Sequence, residues 1–410
     1  MKICIIGGGA SGLMTASLLD KTEHEVVLIE KNDKLGKKIY ITGKGRCNFT
    51  NDCSRDDFIK NVVTNPKFLY SAINICQSNN VIDFFEKKGM PTKKERGNRM
   101  FPVSDKSNDV IKALTKYKNV QVKLSTTAKD LRVVDGKVTG VICDNCVIDC
   151  DIVVLATGGV SYPSTGSTGD GYKMTAKYGH TIIEPKPALC PLISSDTVCK
   201  RLEGLSLKNV SVTAFVDNKA VASEFGEMLF TAQGVSGPCI LTISSKICRK
   251  NLNNSYISID FKPAITEDTL ISRLKREFLE NTNKAFKNSI DTLLPKSLIP
   301  IIIEKSGVNP DKKVNQITVE ERTRLARLIK DFRLNISSLA PFSQAVITSG
   351  GVSVKEINPK TMESKLVKGL YVVGEVLDVD AFTGGYNLQI AFSTATCAVE
   401  SIIGGENDKY

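Results

Sequence analysis

Near the N-terminus, Gly7-Gly8-Gly9-Ala10-Ser11-Gly12 carries the arrangement G-x-G-x-x-G. Glycines at those three spacings bring unobstructed backbone amides up to a pyrophosphate. Gly7 permits a tight turn, Gly9 lets the chain approach the phosphates, and Gly12 allows a helix to pack closely on a strand. Ala10 and Ser11 fall at the start of that helix, where free amides and the positive end of the dipole face an anion. Glu30 stands 23 positions after Gly7, placed to accept hydrogen bonds from an adenosine ribose, and Lys31 follows it. Glycine-rich turns also arise for purely structural reasons. Here a strand, a turn, a helix, a second strand and a carboxylate occur in order, and that order points to dinucleotide binding.

The elements that must position these residues are a buried strand from Lys2 to Ile6, a helix from Ser11 to Leu19 and a strand from His24 to Glu30, together a βαβ unit. A further buried strand, Ile152 to Leu155, runs into Ala156-Thr157-Gly158-Gly159. The stretch from Leu35 to Asn51 holds Lys38, Thr42, Gly43, Lys44, Gly45, Arg46, Cys47 and Asn48. It is dense in cations, glycines and amides, and reads either as an anion-lined loop or as a solvated basic one. Near the C-terminus, a strand ends at Gly374 and Glu375, and Gly384-Gly385-Tyr386-Asn387 opens an apolar helix from Leu388 to about Ile403. A strand, glycine turn and helix at both ends of the chain predict a discontinuous α/β domain, 1–187 plus 341–410, of Rossmann type. The insertion divides into a β-rich domain, 188–265, and a helical segment, 266–340, where Leu270, Leu274 and Phe278 share a face and Thr318 with Glu321 forms a capping box.

The chain has 410 residues, 41% hydrophobic and 24% charged, so it is long and apolar enough for two or three packed domains rather than disorder. No apolar run reaches a spanning helix and no signal peptide is evident, which predicts a cytoplasmic chain without membrane attachment. The twelve cysteines are then reduced thiols. Cys143, Cys146 and Cys150 show a metal-like C-x2-C-x3-C spacing, but two of them flank a hairpin turn and a closed zinc site takes four ligands, so no metal is expected. The net charge of +11 raises a polyanion as partner. Its spread, 22 basic against 16 acidic residues from 188 to 340 and a surplus of five elsewhere, points away from nucleic acid and toward a small-molecule substrate. The sequence carries no signal for oligomeric state.

Taken together, these segments resemble the BaiN-type FAD-dependent oxidoreductases over nearly the whole chain. The resemblance rests on the N-terminal turn with Glu30, on Gly43 to Asn51, on Ala156 to Gly159 with Gly166 to Gly171, on Gly226 to Pro238, and on Gly374 to Asp380 with Thr383 to Gln389. It implies that Gly7 to Gly12 hold the FAD pyrophosphate and Glu30 the ribose, and that Thr42 to Asn48 and Gly385 to Gln389, with Asn387 and Leu388 among them, border the flavin. The chain departs from the family where Ala232-Gln233 follows Phe230-Thr231 in place of a histidine, at Lys44, and at Thr394-Ala395.

Flavin carries its own redox chemistry, so no nucleophile triad is needed. The helix beginning near Asn387 is placed to aim its amides at the flavin C2 carbonyl. His24 and His180, the two histidines, read as structural. Arg46, Asp380 and Tyr386, with Lys44 and Asp378, are the residues expected to meet substrate. A second dinucleotide fingerprint is missing, which leaves NAD(P)H to dock transiently as electron donor, or the substrate to reduce the flavin and oxygen to reoxidise it. The leading expectation is hydride transfer between flavin N5 and a small conjugated or keto compound. An amine oxidase, a flavin-dependent RNA-modifying protein and a flavin-binding sensor are the alternatives.

Overall fold

The computed structural model describes residues 1–407. Five short strands form a parallel sheet in the order Leu370–Val372, Ile152–Leu155, Lys2–Ile6, Glu25–Ile29, Val120–Lys123. Their near-continuous apolar sequences suit a sheet covered on both faces. In the first strand only Lys2 is exposed. The connection from it is the helix Ala10–Leu19, which packs beside the C-terminal helix Tyr386–Asn407. That C-terminal helix starts two residues earlier than its apolar pattern predicts. Asn387 anchors its first turn by donating to Ala381 O and accepting from Ala381 N–H, at 2.8 and 2.9 Å.

The chain forms two compact units, 1–188 with 342 onward, and Leu189–Pro341. The second is built on a closed six-stranded barrel, in the order Leu192–Ser194, Gly234–Ser236, Lys219–Thr231, Ser206–Val216, Ser255–Asp260, Phe332–Leu339. A β-rich domain separate from a helical one is therefore not what the chain makes. The barrel is closed by Phe332–Leu339, which lies at the end of the stretch expected to be helical and alternates buried and exposed residues. The buried stripe Leu270, Leu274 and Phe278 of the helix Glu267–Glu280 joins the same apolar core as the barrel interior. Neither part could bury its apolar face alone. Thr318 and Glu321 form the capping box reciprocally.

The thiol cluster lies beneath the sheet. Cys150 shares a thiol hydrogen bond with Cys4 of the first strand, and this bond, with burial, raises Cys4 well above the ordinary thiol range. Burial likewise pushes Cys143 up to about 12. The described residues hold no cluster of three or more His, Cys, Asp or Glu arranged for a metal. Among the described residues, no helix is long and apolar enough to cross a membrane.

Candidate cofactor site

At the carboxyl ends of the parallel strands lies a cleft of about 1010 Å³, its open mouth included. Gly7, Gly9, Ala10, Ser11, Lys38, Thr42, Ala156, Thr157, Gly158, Glu375, Asn387 and Leu388 line it, all of them expected from sequence. A second chamber of about 370 Å³, walled by Glu30, Lys31 and Asp170, shares Gly7, Thr157 and Gly166 with the first. The two form one elongated trough running from the end of the second strand to the start of the C-terminal helix.

Local geometry explains the turn. Gly7 has φ +107, and a Cβ on it would lie 2.6 Å from Ala156 O. On Gly12 a Cβ would meet Gly7 O at 1.9 Å, so helix and strand touch there. Gly9 differs from both: a Cβ on it would meet nothing within 4 Å. The missing side chain at Gly9 is therefore not filled by protein, and it borders the trough where the helix amides begin.

Glu30 is buried, and its carboxylate accepts from Gly8 N–H at 2.8 Å and from the Asn32 backbone and side-chain amides at 2.8 and 2.7 Å. A carboxylate offers about four lone-pair positions, so one remains toward the chamber. Glu30 thus fixes the turn as well as walling the second chamber. Glu30→Ala is expected to lower FAD retention by roughly tenfold and to destabilise the fold by about 1–3 kcal/mol through orphaned amides. Flavin content after gel filtration and a thermal melt measure the two effects separately. Unchanged flavin content would refute the ribose placement.

Lys38 forms the ionic part of the wall. Its Nζ donates to Glu375 Oε2 and Oε1 at 2.7 and 3.0 Å and to Ser161 Oγ at 3.3 Å. Glu375 also accepts from Ser161 Oγ at 3.1 Å and Thr348 N–H at 2.9 Å. Lys31 pairs with Asp170 at 2.6 Å at the far end. The opposite side is apolar, with Val346, Ile347, Val379, Ile390 and Ala391. Sequence reasoning missed these five, along with Lys37 and Ser167. Ile390 and Ala391 could have been found from their place on the first turns of the C-terminal helix.

Other expected residues are not brought to the trough. Arg46 points away: its guanidinium binds Glu95 and Asp105 and lies 4.4 Å from the Phe101 ring centroid. The cause is the preceding turn, in which Gly43, Lys44 and Gly45 all take left-handed conformations, with φ 61, 57 and 84. Gly43, Gly45 and Asn48 do not line the trough, and Cys47 is in the core with its thiol pushed up to about 12 by burial. Lys44 is exposed. Gly374 packs on Ser11, 2.5 Å from its Oγ if given a Cβ, and Gly385 packs on the Thr50 backbone. Tyr386 lies edge-on to Phe58, and burial pushes its phenol up to about 12. Asp380 is buried and accepts from Ser349 Oγ at 3.0 Å. Arg46, Asp380 and Tyr386, expected to meet substrate, do not line the trough. His180 is buried against Ser364 and Glu356.

The trough suits FAD. It is long, has amides and an open glycine at its waist, a carboxylate at one end and a helix start at the other. Fold and site define an FAD-dependent oxidoreductase of Rossmann type. The chain belongs to the HI0933-like family: residues 1–401 match the family described as "HI0933-like protein Rossmann domain". It is 30% identical over 407 residues to the 3-dehydro-bile acid delta(4,6)-reductase of Clostridium scindens, covering 97% of this chain and 98% of that one. It is 29% identical over 406 residues to the ribosomal RNA dihydrouridine synthase of Escherichia coli, covering 98% of each. Among solved structures, the 3-ketosteroid-delta4-(5alpha)-dehydrogenase of Rhodococcus jostii shares the fold, with a TM-score of 0.52 at 14% identity, covering 97% of this chain and 96% of that one.

Proposed function

We propose that this protein reduces a carbon–carbon double bond conjugated to a carbonyl, and that its substrate is a uracil ring in RNA. The carrying observation is that two full-length relatives, at 29% and 30% identity, are named for one chemistry. Dihydrouridine is uridine with two hydrogens added across C5=C6, which is conjugated to the C4 carbonyl. A 3-oxo-4,6-diene is the same electronic unit extended by one double bond. In both, hydride goes to the carbon remote from the carbonyl, charge moves onto oxygen, and a proton goes to the adjacent carbon. Bound FAD would supply the hydride. The chain's own residues do the rest: Gly9, Ala10 and Ser11 hold the phosphates, Lys38 is kept on the wall by Glu375 and Ser161, and Val346, Ile347 and Leu388 keep water out. NAD(P)H, docking transiently, is the donor in this reading, since the described residues contain one five-stranded parallel sheet of dinucleotide-binding type.

The apolar wall favours a second reading, a steroid-like enone. Purified holoprotein given NADH or NADPH without oxygen, and either unmodified ribosomal RNA or a 3-oxo-4,6-diene steroid, separates them. Dihydrouridine in digested RNA, formed in step with donor consumption, is the expected result. Loss of enone absorbance with unmodified RNA would favour the second reading, and neither product would sink both.

A further inference from the structure

Cys143 and Cys146, which hold no metal, face each other as a pair of thiols. The strands Lys137–Cys143 and Val147–Asp149 run antiparallel with Ile142 opposite Val147. The next pair outward is therefore Cys143 with Cys146, joined by the two-residue turn Asp144-Asn145, and Cys143 N–H donates to Cys146 O at 2.8 Å. Facing residues bonded in this way have Cα atoms about 5.5 Å apart, inside the roughly 4.4–6.8 Å that a disulfide spans. Cys146 is exposed. With Cys150, Lys2 and Lys123 it lines a cleft of about 670 Å³, open mouth included. Cys143 is buried, and burial together with the neighbouring Cys146 keeps its thiol protonated. An accessible thiol poised beside a second one is the arrangement of a cysteine that is oxidised and then resolved.

The same hairpin reaches the trough. Thr126, Thr127 and Ala128 stand with Glu30 in the wall of the second chamber. Ala128, at the start of the strand Ala128–Val134, is the register partner of Cys143. Asp144 donates from its N–H to Thr127 O at 3.0 Å, and its Oδ1 accepts from Thr127 N–H at 3.3 Å. The turn between the two cysteines is thus bonded twice to the chamber wall. A disulfide holds its Cβ atoms about 3.8 Å apart, nearer than the roughly 4.5–5.5 Å of an open cross-strand pair. Closing one across this turn tightens it and shifts Asp144 against Thr127.

We propose that Cys143 and Cys146 are a site of reversible oxidation by hydrogen peroxide, and that the disulfide they form loosens the adjoining wall of the cofactor trough. This goes beyond the substrate reading and does not depend on it. Cys146 sulfur, reacting as the thiolate, attacks one peroxide oxygen. An S–O bond forms, the O–O bond breaks, and the departing hydroxide takes a proton to become water. The sulfur of Cys143 then attacks that of Cys146, its proton leaving with the hydroxyl as a second water while the S–S bond replaces the S–O bond. Two thiols lose two electrons and two protons, and peroxide is reduced to two waters. A dithiol reductant reverses the step by thiol–disulfide exchange.

The test treats full-length holoprotein with a small excess of hydrogen peroxide, blocks the remaining thiols by alkylation and cleaves the chain before Asp144. The expected product is two peptides joined only through Cys143 and Cys146 and separated by dithiothreitol. Flavin retained after gel filtration should fall about two- to tenfold, the worth of one weakened hydrogen bond, and recover on reduction. Cys146→Ser, at an exposed position, should form no disulfide and keep its flavin under peroxide. Cys143→Ser should accumulate the Cys146 sulfenic acid, trapped by dimedone. Asp144→Pro removes both bonds to Thr127 while suiting the first central position of the turn, so it should form the disulfide with no further flavin loss. Cys143 and Cys146 both left free to alkylate, or a bond mapped instead to Cys4 and Cys150, overturns the site. A disulfide that forms with flavin retention unmoved, or an equal flavin loss in Cys146→Ser, overturns the link to the trough.

Discussion

Gly9→Ala is expected to leave a folded protein that purifies almost colourless. The backbone at Gly9 is extended, φ −86 and ψ −165, a conformation open to any residue. The added Cβ meets no protein atom within 4 Å, so the cost to the fold is no more than the roughly 1 kcal/mol by which alanine is a poorer N-cap. The same Cβ stands where phosphate oxygens must approach the helix amides. Crowding a close contact by one carbon costs about 1–3 kcal/mol, roughly a 5- to 150-fold loss of FAD affinity. Gly12→Ala should behave differently. Its Cβ would sit 1.9 Å from Gly7 O, so helix and strand must part, and stability falls together with flavin binding. Thermal melts alongside flavin-to-protein ratios separate the two cases. Full flavin occupancy in Gly9→Ala would mean that the pyrophosphate does not cross this residue.

The contrast between these glycines also shows what could be read from sequence. The turn, the helix behind it and Glu30 are local, set within thirty residues by strand pattern and spacing, and the trough is built on them. What Glu30 does besides facing the trough, namely bracing Gly8 and Asn32, depends on atomic contacts that a spacing rule does not contain. Arg46 shows the opposite failure. Its neighbours are suited to an anion site, yet Glu95 and Asp105, 49 and 59 positions away, claim it. Two fixed carboxylates and a ring face outcompete a ligand position that the left-handed Gly43-Lys44-Gly45 turn has already directed elsewhere. The barrel was partly legible. The alternation in Phe332-Arg333-Leu334-Asn335-Ile336 is a strand pattern, but helical patterns precede it, and barrel closure pairs it with Leu192–Ser194, some 140 positions earlier in the chain.

A pairing between distant segments, which no local pattern contains, supports the second large effect. Lys38, Ser161, Thr348 and Glu375 meet across separations of up to 337 positions, and removal of Lys38 is expected to be more harmful than removal of its partner. Glu375 is short and held in place by Thr348 N–H and Ser161 Oγ, so in Lys38→Met its carboxylate stays on the wall without a counter-charge. In Glu375→Gln the lysine stem can swing its ammonium toward the open mouth of the trough. Stranding a fully buried charge costs about 3–5 kcal/mol. The side chains here are 24% and 23% exposed, which leaves about 2 kcal/mol for Lys38→Met and less for Glu375→Gln. Lys38→Met/Glu375→Gln should regain most of the loss, because the orphaned charge is gone and the amide oxygen still accepts from Thr348. Denaturant melts of the four proteins give the coupling directly. Flavin retention supplies a second reading: if Lys38 serves the cofactor as well as Glu375, the double variant recovers stability but stays flavin-poor. Recovery of both would confine the pair to holding the wall together, and recovery of neither would mean that the Glu375 carboxylate is not held on the wall as an anion.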